Sequence, residues 1–407
     1  MKGAIMSFDE FKNNKALSES ALTFTPWRPI RLNMTRKVHF GPPDPLSGYP
    51  VNTAGEITEN GDLILRFYAP EGKEMYATIG GYNRMGRIEM EKREDGVFEG
   101  TFPYDPRFAG FRRIHFYLDG TDVINTKMMV SAGGHTFANY VELPDPEVPY
   151  ILLKDVPHGS LSRELYYSRA MNEWMRCMVY LPPGYHEGGE YPVLYLQDGA
   201  LGSELTWMLC TKVPYIMDNM IAAGECEPYI VVTNDPQLQY PQDMEAVDNF
   251  DAFVDTLVGD CVPFIDSRFR TKADKWHRAM AGFSLGSMET SCTGLRHPET
   301  FGWLGILSGY MRRRDSHPRY EQNPYLDQLS REFLEKNYLL FFRCMGDLDG
   351  NFPEFLEDDE FCIKKGADQA ACYQRKVYPD CIHDINTERR EYYDLAKMLF
   401  KKEHENE

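Results

Sequence analysis

Cysteine is missing from the first 176 residues of this 407-residue chain, and the nine that follow stand singly, with no C-x-x-C pair among them. An odd number of isolated thiols, several inside apolar runs, excludes a disulfide framework and reads as reduced, buried cysteine. H-E-x-x-H is absent as well, so no metal site is expected, and nothing calls for a cofactor. No apolar run approaches the ~20 residues of a membrane span, and there is no internal repeat or low-complexity tract. The start, Met1-Lys2-Gly3-Ala4-Ile5-Met6-Ser7, lacks the long apolar stretch of a signal peptide. The expected location is therefore cytoplasmic, or secreted if a leader was removed. Positive charge is also short: 44 Lys and Arg stand against 62 Asp and Glu, a formal net charge of −18. That balance excludes phosphate-backbone binding, hence nucleic acid, and disfavours polyanionic substrates.

What is present is enough apolar material for large cores, 43% hydrophobic and 13% aromatic over a length that suits two domains. Residues 1–54 read as an extension and linker, with Gly41-Pro42-Pro43-Asp44-Pro45 near its end. Between 55 and 146, seven short alternating segments (62–70, 74–81, 87–94, 97–104, 112–118, 123–130 and 136–143) are separated by turns such as Asp95-Gly96 and Asp119-Gly120. This spacing predicts an immunoglobulin-like β-sandwich. Pro144-Asp145-Pro146-Glu147-Val148-Pro149 breaks the pattern.

From 150 to 407 the texture changes to continuous apolar strands alternating with helices, the mark of a mainly parallel sheet covered on both faces. Strands are expected at 163–168, 175–181, 191–196, 229–233, 277–283, 303–307, 339–345 and 373–378, and helices at 247–265, 325–336 and 388–401. Eight strands in this order predict an α/β-hydrolase fold.

After the fifth strand comes Gly282-Phe283-Ser284-Leu285-Gly286, the G-x-S-x-G pattern at a strand-to-helix turn. The glycines allow a sharp turn without Cβ clashes, which lifts the Ser284 hydroxyl out of the backbone. The helix that begins there aims its unpaired N–H groups, Leu285 first, at the place where an oxyanion would form. A second donor is expected from the loop after the third strand, at Gly199 or Ala200. Trp207, just beyond, reads equally as a pocket wall or as core.

Serine needs a base, and the base needs an orienting acid. Four histidines follow Ser284: 297, 317, 383 and 404. His297 ends the serine's own helix, His317 precedes the strand that should carry the acid, and His404 lies in the tail. His383 follows the last strand and precedes the last helix, where the base belongs. The acid should follow the strand at 339–345, in Gly346-Asp347-Leu348-Asp349-Gly350. Asp349 is preferred because it extends beyond the tight turn, with Asp347 as the alternative; Asp384 reads as a helix entry or a solvent-facing residue.

The segments Val179-Tyr180-Leu181-Pro182-Pro183-Gly184-Tyr185, Tyr191-Pro192-Val193-Leu194-Tyr195-Leu196-Gln197-Asp198-Gly199, the Ser284 turn and His297-Pro298-Glu299-Thr300-Phe301 ahead of Leu307-Ser308-Gly309 together resemble one esterase family of α/β-hydrolases. It groups feruloyl and acetylxylan esterases (carbohydrate esterase family 1) with enterochelin esterases. The resemblance implies Ser284, Asp349 and His383 as nucleophile, acid and base, and an early-set β-sandwich before the catalytic domain. It departs from the family at Asp198, where histidine is frequent and which would alter pocket polarity, and at Ser287, where a second glycine is frequent. None of the five tryptophans (27, 174, 207, 276, 303) falls in the sandwich, so that domain reads as a structural partner rather than a sugar-binding module.

The expected activity is hydrolysis, through an acyl-enzyme, of acetyl or hydroxycinnamoyl esters on plant-derived saccharides. A siderophore trilactone esterase is the alternative, and a non-catalytic carbohydrate-binding protein on a hydrolase fold is a third. The expected partner is a small-molecule or oligosaccharide ester, with no nucleic acid and no membrane; a homodimer is compatible with the sequence.

Overall fold

A computed structural model describes residues 55–81, 84–133, 136–200, 202–235, 250–311 and 323–401. The expected extension 1–54, the start of the expected helix at Val247, and His317 and His404 lie outside the described residues. The chain forms two compact units that part between Lys154 and Asp155.

The first unit is antiparallel. Its strands are β1 (Gly55–Ile57), β2 (Leu63–Tyr68), β3 (Met75–Gly81), β4 (Arg84–Lys92), β5 (Val97–Phe102), β6 (Gly110–Leu118), β7 (Thr121–Val123), β8 (Val130–Gly133) and β9 (Thr136–Leu143). They run in the order β1-β2-β5-β4-β3-β6-β9-β8, with β7 on β6. Alternation sends Leu63, Leu65, Ala77, Ile79, Ile114 and Phe116 into one core. The expected strand at 123–130 is mostly a turn. Side chains take its backbone groups out of the ladder: the Asn125 N–H donates to Asn139 Oδ1 at 2.8 Å, and the Lys127 N–H to Asn125 Oδ1 at 2.9 Å.

The second unit is built on a mixed eight-stranded sheet: β10 (Ser160–Ser168), β11 (Glu173–Leu181), β12 (Val193–Gln197), β13 (Ile230–Asn234), β14 (Arg278–Phe283), β15 (Trp303–Leu307), β16 (Leu340–Gly346) and β17 (Tyr373–Tyr378). The order is β10-β11-β13-β12-β14-β15-β16-β17. β11 is antiparallel to both neighbours, and every pairing from β13 to β17 is parallel. Every residue of β12 to β16 is buried, which accounts for their predominantly apolar sequences. Each buried Val, Leu or Ile contributes about 1.5–3 kcal/mol. After β12 the chain crosses to one side for β13 and to the other for β14, which makes the carboxyl end of β12 the switch point at which open α/β sheets bind their ligands.

The helix expected at 247–265 is described from Phe250 and contains a π turn at Leu257–Cys261 before continuing over Val262–Arg268. Pro263 explains the turn, because proline has no N–H and clashes with the carbonyl four residues back. Arg169 Nη2 donates to that Gly259 carbonyl at 2.8 Å instead. The helix expected at 325–336 is divided into a 3-10 turn, Pro324–Gln328, and a helix, Arg331–Asn337. Ser330 starts the second piece by accepting the Phe333 N–H on its hydroxyl. Among the described residues, no helix is long and apolar enough to cross a membrane.

Candidate active site

Ser284 stands between β14 and the helix Leu285–Arg296 at φ 55°, ψ −116°, a conformation that side-chain-bearing residues rarely hold unless their surroundings impose it. Those surroundings are specific. The Ser284 N–H donates to the Leu307 carbonyl of β15 at 3.0 Å. Its carbonyl accepts the Ser287 hydroxyl at 2.6 Å, so serine at 287 clamps the turn. A Cβ on Gly282 would overlap the Gly286 carbonyl, and one on Gly286 would lie 2.7 Å from the Gln197 and Asp198 carbonyls. Neither glycine has a positive φ; both are needed for close approach of backbone to backbone.

The loop after β16 is zipped onto the one after β17, with Asp347 N–H donating to Tyr378 O and Leu348 N–H to Cys381 O, both at 3.0 Å. This carries Asp349 to His383. Asp349 Oδ2 lies 2.6 Å from His383 Nδ1, and Asp349 Oδ1 accepts the Asn351 N–H at 2.8 Å. Asp349 is buried and Asp347 exposed. With Nδ1 engaged by a carboxylate, the imidazole's other nitrogen is left as the acceptor. The ring packs 4.5 Å, centroid to centroid, from that of Phe283, the residue before the serine. Asp384 takes the Asn386 and Thr387 N–H groups and starts the last helix, Ile385–Met398.

Two expectations at the oxyanion loop and pocket, for Gly199 and Asp198, need correction, and one of the two readings of Trp207 holds. The Gly199 N–H donates to Asp198 Oδ1 at 2.7 Å, so it is not available to an oxyanion. What Gly199 supplies is space, since a Cβ there would stand 3.1 Å from Ser284 Cβ. Asp198 itself is buried, its carboxylate turned into its own loop, so it does not line a pocket. Trp207 is fully buried and donates Nε1–H to the Gln197 carbonyl at 3.0 Å; it is core that props the end of β12. Among the described residues, no acceptor takes the Leu285 or Ala200 N–H, and Ala200 is exposed.

The sequence reasoning passed over two acids of the last helix. Glu388 and Glu391 are both buried. Glu388 Oε2 accepts the Thr211 hydroxyl at 2.6 Å, and Glu391 Oε1 accepts the Ser308 hydroxyl at 2.8 Å. Burial, together with the charge of Asp198, holds Glu388 well above the ordinary carboxylate range. The available signal was their spacing: residues 388, 391, 392 and 395 share one face, and Tyr392 and Leu395 mark it as the inward one. No group of three or more His, Cys, Asp or Glu among the described residues is placed to hold a metal ion.

The enterobactin esterase of Shigella flexneri, at 14% identity, superposes over 82% of this chain and 92% of its own with a TM-score of 0.59. A CE1 ferulic acid esterase of Anaeromyces mucronatus, at 19% identity, covers 61% of this chain and 93% of its own with a TM-score of 0.53. At these identities the likeness speaks for the fold. In sequence, the endo-1,4-beta-xylanase/feruloyl esterase of Xylanibacter ruminicola is 34% identical over 373 residues, 86% of this chain and 47% of that protein. The chain spans less than two thirds of the length of each of the curated relatives it is matched to here. The family model described as "Putative esterase" matches residues 168–377, half of the chain, and includes the Ser284 turn and the Asp349 loop. By that match, the chain belongs to this esterase family of α/β-hydrolases.

Proposed function

We propose that the chain is a serine carboxylic-ester hydrolase that removes hydroxycinnamoyl or acetyl groups from plant-derived saccharides. The observation that carries the reading is the buried Asp349–His383 pair, 2.6 Å apart, packed on Phe283, the residue before a serine in a strained strand-to-helix turn. His383 takes the Ser284 proton as the hydroxyl oxygen attacks the ester carbonyl. The tetrahedral oxyanion is held by the Leu285 and Ala200 N–H groups. On collapse the alcohol departs with the proton from His383 and leaves an acyl-serine; water then repeats the sequence and frees the acid. Asp349 keeps the imidazole in the tautomer this requires. The saccharide ester follows the 34%-identical relative, whose name includes feruloyl esterase activity. In this reading residues 150–407 are the catalytic domain, and 55–146 an immunoglobulin-like structural partner.

A siderophore trilactone is the second reading, favoured by the superposition on the enterobactin esterase over 82% of the chain. A panel of methyl ferulate, an acetylated xylo-oligosaccharide and a catecholate trilactone separates the two by kcat/KM. Ser284→Ala should lose roughly six orders of magnitude in kcat on the preferred ester. Retention of most activity would end the serine mechanism.

A further inference from the structure

The elements carrying the three proposed catalytic side chains are linked, directly or through the bend at 307–309, to a single buried carboxyl that the mechanism above does not use. Glu391 lies on the helix that begins directly after His383 and has no exposure to solvent. Its Oε1 accepts the Ser308 hydroxyl at 2.8 Å, and the Cys344 thiol faces the same carboxyl. Ser308 closes β15 at φ 39°, again in a region that a residue with a side chain occupies at a cost. Its N–H donates to the Cys344 carbonyl of β16 at 2.9 Å, and β16 leads into the Asp349 loop. Leu307, before it, accepts the nucleophile's own N–H. Gly309, after it, leaves no room for a Cβ against the Ser287 hydroxyl that clamps the Ser284 carbonyl. The bend at 307–309 is thus the common support of the nucleophile turn and the acid strand.

We propose that Glu391 is a positioning residue for ester hydrolysis: its buried carboxyl ties the strained Ser308 to the His383 helix and so fixes the three elements relative to one another. The proposal rests on the serine mechanism above. Its charge state follows from the surroundings. Burial pushes the carboxyl well above its ordinary range; the Ser308 hydroxyl opposes the shift, and the charge of Asp349 adds to it. Cys344, Tyr378, Cys381 and Glu388 also lie in its field, and Arg389 and Arg390 flank it on the same helix. A neutral acid there holds geometry without placing a second negative charge beside the Asp349–His383 pair.

Three variants test this on the full chain with methyl ferulate. Glu391→Met keeps the volume and deletes the acceptor, Ser308→Ala deletes the donor from the other side, and Glu391→Gln keeps a neutral acceptor. The Met and Ala variants should lose roughly 10–100-fold in kcat while KM stays within about threefold, because a small misplacement near the chemistry is that costly. Met at 391 leaves the buried Ser308 hydroxyl without its acceptor, so some stability is lost, and a urea titration checks that the variants remain folded. The Gln variant should recover most of kcat and leave the acid limb of the kcat/KM profile in place. Removal of a resting negative charge would instead shift that limb to lower pH. Wild-type kcat in the Met and Ala variants overturns the proposal, as does failure of both to fold, which makes Glu391 a stability element alone. A displaced acid limb in Glu391→Gln overturns the neutral form. Activity surviving Ser284→Ala would strike the underlying mechanism, whatever the result at 391.

Discussion

Gly282→Ala adds one methyl at a place where the backbone leaves no space for it. The new carbon would lie 2.8 Å from the Gly286 Cα and closer still to the Gly286 carbonyl. Both obstacles are main chain, so no side-chain rotation relieves them. Separating the strand end from the helix start to ordinary contact requires about 1 Å, the kind of overpacking that costs about 1–3 kcal/mol. Ser284 is the residue in that gap. Moving it by about 1 Å relative to His383 should lower kcat roughly 100-fold. The measurement is steady-state hydrolysis of methyl ferulate beside a urea titration. Gly259→Ala serves as control: nothing lies within 4 Å of its added methyl, so kinetics should be unchanged and stability equal or slightly higher. A Gly282→Ala protein with kcat within threefold of the parent would refute the close-approach account of the turn.

Two further expectations concern buried charge away from the site. Asp260 accepts the Ser168 hydroxyl, the Arg169 and Ala170 N–H groups and Arg169 Nε, at 2.8–3.1 Å. Desolvation opposes ionisation there, but the bonds from Arg169, Ala170 and Ser168 outweigh it and hold the carboxyl below its ordinary value of 3.8. A depressed folded value contributes stability above the unfolded pKa and loses it as pH falls. Asp260→Asn should therefore cost about 1–3 kcal/mol at pH 7, and the gap to the parent should close as pH drops below the ordinary carboxylate range; a gap independent of pH in urea titrations contradicts this. Arg343 is fully buried, 2.7 Å from Asp359 and 3.7 Å from Asp358. Arg343→Met takes the cation away from the fully buried Asp358, while Asp359 keeps Arg375 at 2.6 Å, and should cost about 3–5 kcal/mol, visible as a lowered urea midpoint. A loss below 1 kcal/mol would show that the acids find other partners.

Features written in short stretches of chain were legible before any coordinates. The Gly282–Gly286 spacing encodes its own turn, because the clash it avoids lies between residues four apart. The apolar runs at 193–196 and 279–283 encode central strands, because both of their faces are covered. Chain order singled out His383, since strand ends of one direction share one edge of the sheet, and reach beyond the tight turn favoured Asp349 over Asp347. The rest depends on contacts between distant segments, which no local pattern records. Whether the Gly199 N–H faces substrate depends on the rotamer of Asp198, and Trp207 is core because the end of β12 offers it a carbonyl. The link from Ser308 to Glu391 spans 83 residues and exists because β15 and the last helix pack together. Sequence decided which elements form and where reactive side chains emerge from them. Tertiary packing decided which polar atoms are consumed holding the frame and which remain for chemistry, because a buried hydrogen bond is settled by whichever partner the fold delivers.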